Sequence, residues 1–153
     1  MKPMNNGGVT LIELVVVFVI IAIGAVLLTP NIGAWLPNYR LRSATRDIVS
    51  TMRTAQMRAI SNSIQYRVNF NAAEVGVANS FILQRNTGGV WANDGAVQTL
   101  PAGITMDIDQ LPAGRALFNP NSTATAGSTT LRNTKGVQKK ISITSATGRV
   151  RIE

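Results

Sequence analysis

The residues of this sequence that could do chemistry stand mainly near its two ends. Near the start is Glu13, the one charged residue in the apolar run from Val9 to Leu28, VTLIELVVVFVIIAIGAVLL. A carboxylate inside an apolar helix costs on the order of 2–3 kcal/mol near the centre of a bilayer. The run holds no Lys or Arg to offset it, so its partner must come from another chain or from a freed amine. Near the end, residues 132–153 carry Arg132, Lys135, Lys139, Lys140, Arg149 and Arg151 against Glu153 as the one acid. Guanidinium forks beside small hydroxyls and the backbone N–H groups of a turn at Gly148 form a plausible phosphate-binding surface. A third pattern, Asp107-Ile108-Asp109, could suggest a metal site. Ile104, Met106 and Ile108 alternate with Thr105, Asp107 and Asp109, however, as on a half-buried strand with its acids in solvent. No third ligand is evident, and calcium takes six to eight oxygens.

Composition removes most other chemistry. The chain has 153 residues, neither Cys nor His, and fifteen Lys and Arg against seven Asp and Glu, for a net charge of +8 and a pI near 11.2. Thiol nucleophiles, Ser-His-Asp triads, imidazole acid–base catalysis and nearly all zinc or copper sites need the missing residues. Disulfides are excluded, so the domain must hold together by packing. An enzyme is disfavoured, and neither a metal nor a cofactor is expected. The 45% apolar content is concentrated in roughly the first thirty residues, while only 14% of the chain is charged.

The elements that position these groups follow from hydropathy and punctuation. As a helix the Val9–Leu28 run would be ~30 Å long, the thickness of a bilayer's hydrocarbon core. It shows no polar stripe, which marks it as a membrane helix rather than a buried soluble one. Small residues of a secretory cleavage site do not follow it. Pro30, Gly33 and Pro37 are expected to kink or interrupt the helix. Helical spacing then resumes with Leu41, Ala44, Ile48, Met52, Ala55 and Ala59 on one apolar stripe. Arg42, Arg46 and Arg53 lie on another face, either solvated or touching neighbouring subunits or an anionic partner. Arg40 and Arg42 lie just past the membrane boundary, where anionic head groups could attract them, and Trp35 reads as an interfacial anchor. The helix should fade at Ser61-Asn62-Ser63.

Beyond Ile64 short β-prone runs alternate with turn residues. Strands are expected at residues 65–70, 80–84, 104–108, 115–118, 140–144 and 149–152. Turns are expected at Gly88-Gly89, Asn93-Asp94-Gly95, Pro101-Ala102-Gly103 and Pro112-Ala113-Gly114. Residues 119–130, poor in apolar side chains, read as a mobile loop or a β-edge. Trp91 reads as part of the β-domain core. The last two strands read as a hairpin that buries Ile141, Ile143, Val150 and Ile152 and leaves Lys140, Ser142, Thr144, Arg149 and Arg151 outward. That basic face either protects a sheet edge from aggregation or binds phosphate.

The run Gly8-Val9-Thr10-Leu11-Ile12-Glu13-Leu14 resembles the prepilin signal of type IV pilins and pseudopilins, and Pro30 falls where the pilin helix commonly kinks. The resemblance implies cleavage after Gly8 by a prepilin peptidase, methylation of Val9, and pairing of Glu13 with a neighbouring subunit's N-terminal amine during assembly. Such cleavage removes one charged side chain, Lys2, and leaves a net charge of +7. The chain Gly148-Arg149-Val150-Arg151 resembles the terminal motif of the GspH/FimT minor pilins and pseudopilins, some of which are implicated in DNA binding for natural transformation. An α+β fold is therefore expected: a long N-terminal transmembrane and stalk helix packed on an antiparallel β-domain. Residues 1–8 would be leader, 9–29 the membrane and filament-core helix, 30–62 its continuation, and 63–153 a periplasmic β-rich domain. The expected setting is the bacterial inner membrane, single-pass, before incorporation into a filament. Other pilin subunits, the prepilin peptidase and methyltransferase, and DNA through Lys140, Gly148, Arg149 and Arg151 are the expected partners. The alternative is a GspH-type minor pseudopilin of a type II secretion system.

Overall fold

A computed structural model describes residues 9–27 and 32–153. Gly8 and Pro30, and with them the expected cleavage site and kink, lie outside the described residues. The chain divides into two units, residues 1–33 and 34–153.

In the first unit, helix α1 spans Leu11–Leu27. Its large apolar side chains from Leu11 to Ile23 are exposed, Leu11 at 81% and Phe18 at 63%. Val9 and Thr10 precede the helix and Leu28 lies outside the described residues, so α1 is shorter than the twenty-residue run. Among the described residues no helix is long and apolar enough to cross a membrane.

Helix α2 covers Ile32–Asn62 and runs through Gly33 and Pro37 without a break. The expected interruption at these two residues is therefore corrected. A proline at 37 removes the hydrogen bond that its N–H would give to the Gly33 carbonyl, a local loss one turn into the helix. The helix is held from Leu41 onward by burial: Leu41, Ala44, Ile48, Met52, Ala55 and Ala59 are all buried. It stops where expected, at Asn62, with Ser63 left-handed at φ 55°.

The β-domain consists of β1 (Tyr66–Asn69), a short helix α3 (Ala72–Val75), β2 (Ser80–Thr87), β3 (Val90–Asn93), β4 (Gln98–Thr99), β5 (Ile104–Asp107), β6 (Arg115–Phe118), β7 (Gly127–Asn133), β8 (Gln138–Ile143) and β9 (Val150–Ile152). One antiparallel sheet has the order β3-β2-β1-β6, with β4 also paired to β2; the other has the order β5-β7-β8-β9. Every residue of the core cluster belongs to residues 34–153. The α2 stripe joins Tyr66, Val68, Phe81 and Phe118 of the first sheet to Leu131, Ile141, Ile143 and Val150 of the second. This unit thus carries a complete core and can fold without the first.

Two expectations are corrected here. Residues 127–130, taken as loop or edge, open β7, an inner strand of the second sheet. Hydroxyls stand in for apolar contacts there: Thr129 Oγ1 donates to the Asp107 carbonyl at 2.7 Å, and Ser128 Oγ lies 2.5 Å from Gln110 Oε1. Composition hid a strand whose buried polar atoms are paired. Trp91, expected in the core, is only half-buried on β3, under the Arg67 guanidinium at 4.2 Å from the ring centroid.

Candidate functional site

At the N-terminal end, α1 begins one residue after Thr10, whose Oγ1 accepts from the Glu13 N–H at 3.3 Å. Thr10-x-x-Glu13 is the spacing of a capping box, and Glu13 lies in the first turn, where free N–H groups and the helix dipole favour a carboxylate. The helix end therefore offsets part of the cost that the sequence assigned to this acid. The capping signal was present in the sequence and was missed. Among the described residues Glu13 has no ion-pair partner, and Val9 is 73% exposed.

At the other end the hairpin forms in the expected register. Ser142 lies opposite Arg151 and Ile143 opposite Val150. Lys140 and Glu153 exchange backbone hydrogen bonds at 3.1 and 2.7 Å, and the Thr144 N–H donates to the Arg149 carbonyl at 3.0 Å. Ile141, Ile143 and Val150 are buried, and Lys140, Arg149 and Arg151 are exposed on the opposite face, with no ion-pair partner among the described residues. Glu153 joins that face, its Oε1 accepting from Ser142 Oγ at 2.8 Å. The exception to the expected burial is Ile152, 45% exposed on the edge strand β9, where it lines open grooves with residues of α2.

Gly148 sits differently from the solvent-facing turn residue expected. It is buried at φ +60°, and a Cβ there would lie 2.7 Å from Gln56 Nε2 and 2.8 Å from the Ser122 carbonyl oxygen. Gln56 Nε2 also donates to the Thr147 carbonyl at 2.9 Å. Glycine here lets the turn seat against α2, which aims the arginines that follow.

The helix arginines border the same strand. Arg42, Thr45, Arg46, Lys139 and Ile152 line an open groove of about 270 Å³. A second groove, of about 330 Å³, is lined by Arg46, Arg53 and Ile152 together with Val49, Ser50, Thr54 and Met57. Basic side chains thus flank β9 on both sides: Lys140, Arg149 and Arg151 on the outer face, and Lys139 with Arg42, Arg46 and Arg53 on the helix side. Sequence reasoning missed this juxtaposition. Its one local signal was Lys139, two residues before Ile141 and so on the strand's inward face.

Asp107 and Asp109 are exposed, and Asp107 Oδ1 accepts from the Asp109 N–H at 3.0 Å, closing a turn. Among the described residues no group of three or more acids could hold a metal.

The prokaryotic N-terminal methylation motif matches residues 3–29. No curated protein sequence matches the chain. Among solved structures, the minor pseudopilin EpsH of the Vibrio cholerae type 2 secretion system is similar at a TM-score of 0.61 and 12% identity, over 74% of this chain and 96% of that one. The Pseudomonas aeruginosa (strain PAO1) type IV minor pilin FimU is similar at a TM-score of 0.59 and 19% identity, over 76% and 90%. The chain thus joins a prokaryotic N-terminal methylation motif at residues 3–29 to a domain with the fold of minor pilins and pseudopilins.

Proposed function

We propose that the protein is a minor pilin or pseudopilin, a structural filament subunit and not an enzyme, that binds DNA through its terminal hairpin. The observation that carries the assembly role is the methylation motif joined to this fold. In this reading a prepilin peptidase cuts after Gly8 and the new N-terminus at Val9 is methylated. The apolar helix then holds the chain in the inner membrane, with residues 63–153 in the periplasm, until assembly. The exposed apolar surface of α1 supports burial in lipid and then among neighbouring helices. Glu13, exposed in the first turn, is free to meet the N-terminal amine of a neighbouring subunit. Pro30 would bend the helix beyond the membrane.

DNA binding rests on the outward Lys140, Arg149 and Arg151, with Gly148 setting their direction and the helix arginines extending the positive surface around β9. Phosphate contacts of this kind bind with little sequence preference and weaken steeply with salt. The second reading, a pseudopilin of a type II secretion system, is favoured by the similarity to EpsH.

The test uses residues 34–153 titrated with a labelled DNA duplex at several salt concentrations, beside an Arg149→Ala/Arg151→Ala variant of unchanged melting temperature. Loss of two phosphate contacts should lower the slope of log affinity against log salt by about 2. Equal binding by both proteins would remove the hairpin from the site. No binding by either would move the secretion pseudopilin to first place.

A further inference from the structure

The first sheet holds an unbalanced cluster of charge far in sequence from the terminal hairpin. Arg67 on β1 is 8% exposed; its Nε donates to Gln84 Oε1 at 2.7 Å and its Nη2 lies 3.5 Å from Glu74 Oε2. Asn69 Nδ2 donates to the same carboxylate oxygen at 2.9 Å. Arg115, at the start of the neighbouring strand β6, reaches Glu74 Oε1 through Nη2. Two guanidiniums therefore share one carboxylate. The Nε–H of Arg115 is buried and has no acceptor among the described residues. Burial, and then the charge of Arg115, lower the pKa of Arg67 from its ordinary value.

Beside this cluster is a pocket of about 280 Å³ lined by Arg67, Trp91, Pro112, Arg115, Leu117 and Thr125. Its wall holds two cations, a hydroxyl, an aromatic ring and two apolar side chains, and no acid. A surplus charge at a partly buried cluster and an unsatisfied buried donor are each costly, and both belong to arginines that line this space. We propose that this pocket binds a single carboxylate borne on a short apolar chain. The carboxylate accepts from the Arg115 guanidinium and balances the surplus charge, while its carbon chain lies against Trp91, Pro112 and Leu117. The surplus is one unit, so a phosphate dianion would overshoot it and give up more hydration. The carboxylate comes either from a free small acid or from an acidic side chain of a neighbouring subunit. This site is separate from the hairpin and stands whether or not DNA binds there.

The experiment follows the Trp91 indole N–H resonance of residues 34–153, assigned with Trp35→Phe, during titration with sodium butyrate against sodium chloride at equal ionic strength. A saturable shift with butyrate alone is expected. Arg115→Gln keeps a donor for Glu74 and removes the surplus charge, so it should bind butyrate about tenfold more weakly. In chloride it should melt no lower than the wild type, because like-charge repulsion is relieved. Leu117→Trp, which fills the pocket and touches neither arginine's charge, should also abolish the shift and serves if Arg115→Gln does not fold. A blocked Gly-Glu-Gly tripeptide separates the sources. Its binding alongside butyrate assigns the site to a protein side chain, and butyrate binding alone assigns it to a small acid. The proposal is overturned if neither probe gives a saturable shift, if Arg115→Gln responds as the wild type does, or if phosphate displaces butyrate.

Discussion

Replacing Gly148 with alanine tests whether the terminal hairpin is aimed by packing. Two costs arise from the structure. At φ +60° a side chain sits in the left-handed region, which costs about 1–2 kcal/mol. The new methyl would also lie 2.7 Å from Gln56 Nε2 and 2.8 Å from the Ser122 carbonyl oxygen, an overpacking worth about 1–3 kcal/mol. The sum is about 3 kcal/mol, and for a unit of this size the melting temperature should fall by about 12 °C. Thermal and urea unfolding of residues 34–153 measure it. Gln56→Ala alone should cost about 1 kcal/mol through the lost bond to Thr147. Combined with Gly148→Ala it should recover only part of the loss, since the Ser122 carbonyl is backbone and stays. Charge is unchanged, so the salt slope of DNA binding should match that of the wild type. A Gly148→Ala protein within about 0.5 kcal/mol of wild type would refute the packing argument. Loss of DNA affinity at full stability would instead make Gly148 a direct contact.

Further outcomes follow from single interactions. Ile48→Ala, at a fully buried position in the middle of the α2 stripe, should cost about 2–5 kcal/mol in urea unfolding. Asn133→Ala should cost about 2–3 kcal/mol: Asn133 Oδ1 accepts from the Lys135 and Val137 N–H groups at 2.9 Å each, and its Nδ2 donates to Asn38 at 2.9 Å. Arg58→Ala, which breaks an exposed pair with Asp94, should change stability by about 0.5 kcal/mol or less at 0.15 M salt. Glu13→Gln should leave the fold of residues 34–153 untouched and reduce recovery of the subunit in sheared filaments. Unchanged recovery would dismiss the proposed pairing with a neighbour's amine.

Much of the helical half was legible because its signals are local. The stripe from Leu41 to Ala59 repeats at helical spacing, and a buried face must do so whatever it packs on. The terminal hairpin was legible for the same reason, since alternation of Ile141, Ile143 and Val150 with basic residues already states which face is inward. Pro37 misled because a proline's local cost was weighed without the burial that holds the rest of the helix. Strand β7 misled because Ser128 and Thr129 are buried through hydrogen bonds to partners about twenty residues away, which a hydropathy pattern does not register.

The sequence by itself determined an apolar N-terminal helix headed by Thr10 and Glu13, an amphipathic α2, a β-rich remainder and the polarity of the final hairpin. Each is a property of residues within a few positions of one another. Tertiary structure alone decided that Gly148 is buried against Gln56, that Arg42, Arg46 and Lys139 meet beside Ile152, and that Arg67 and Arg115 share Glu74 with the Arg67 guanidinium over Trp91. Apart from Arg67 and Glu74, seven positions apart, those pairings join residues tens of positions from one another, and they depend on which strands lie side by side. Strand order is set by the packing of two sheets on one helix, a sum over the whole core that no short window of sequence contains.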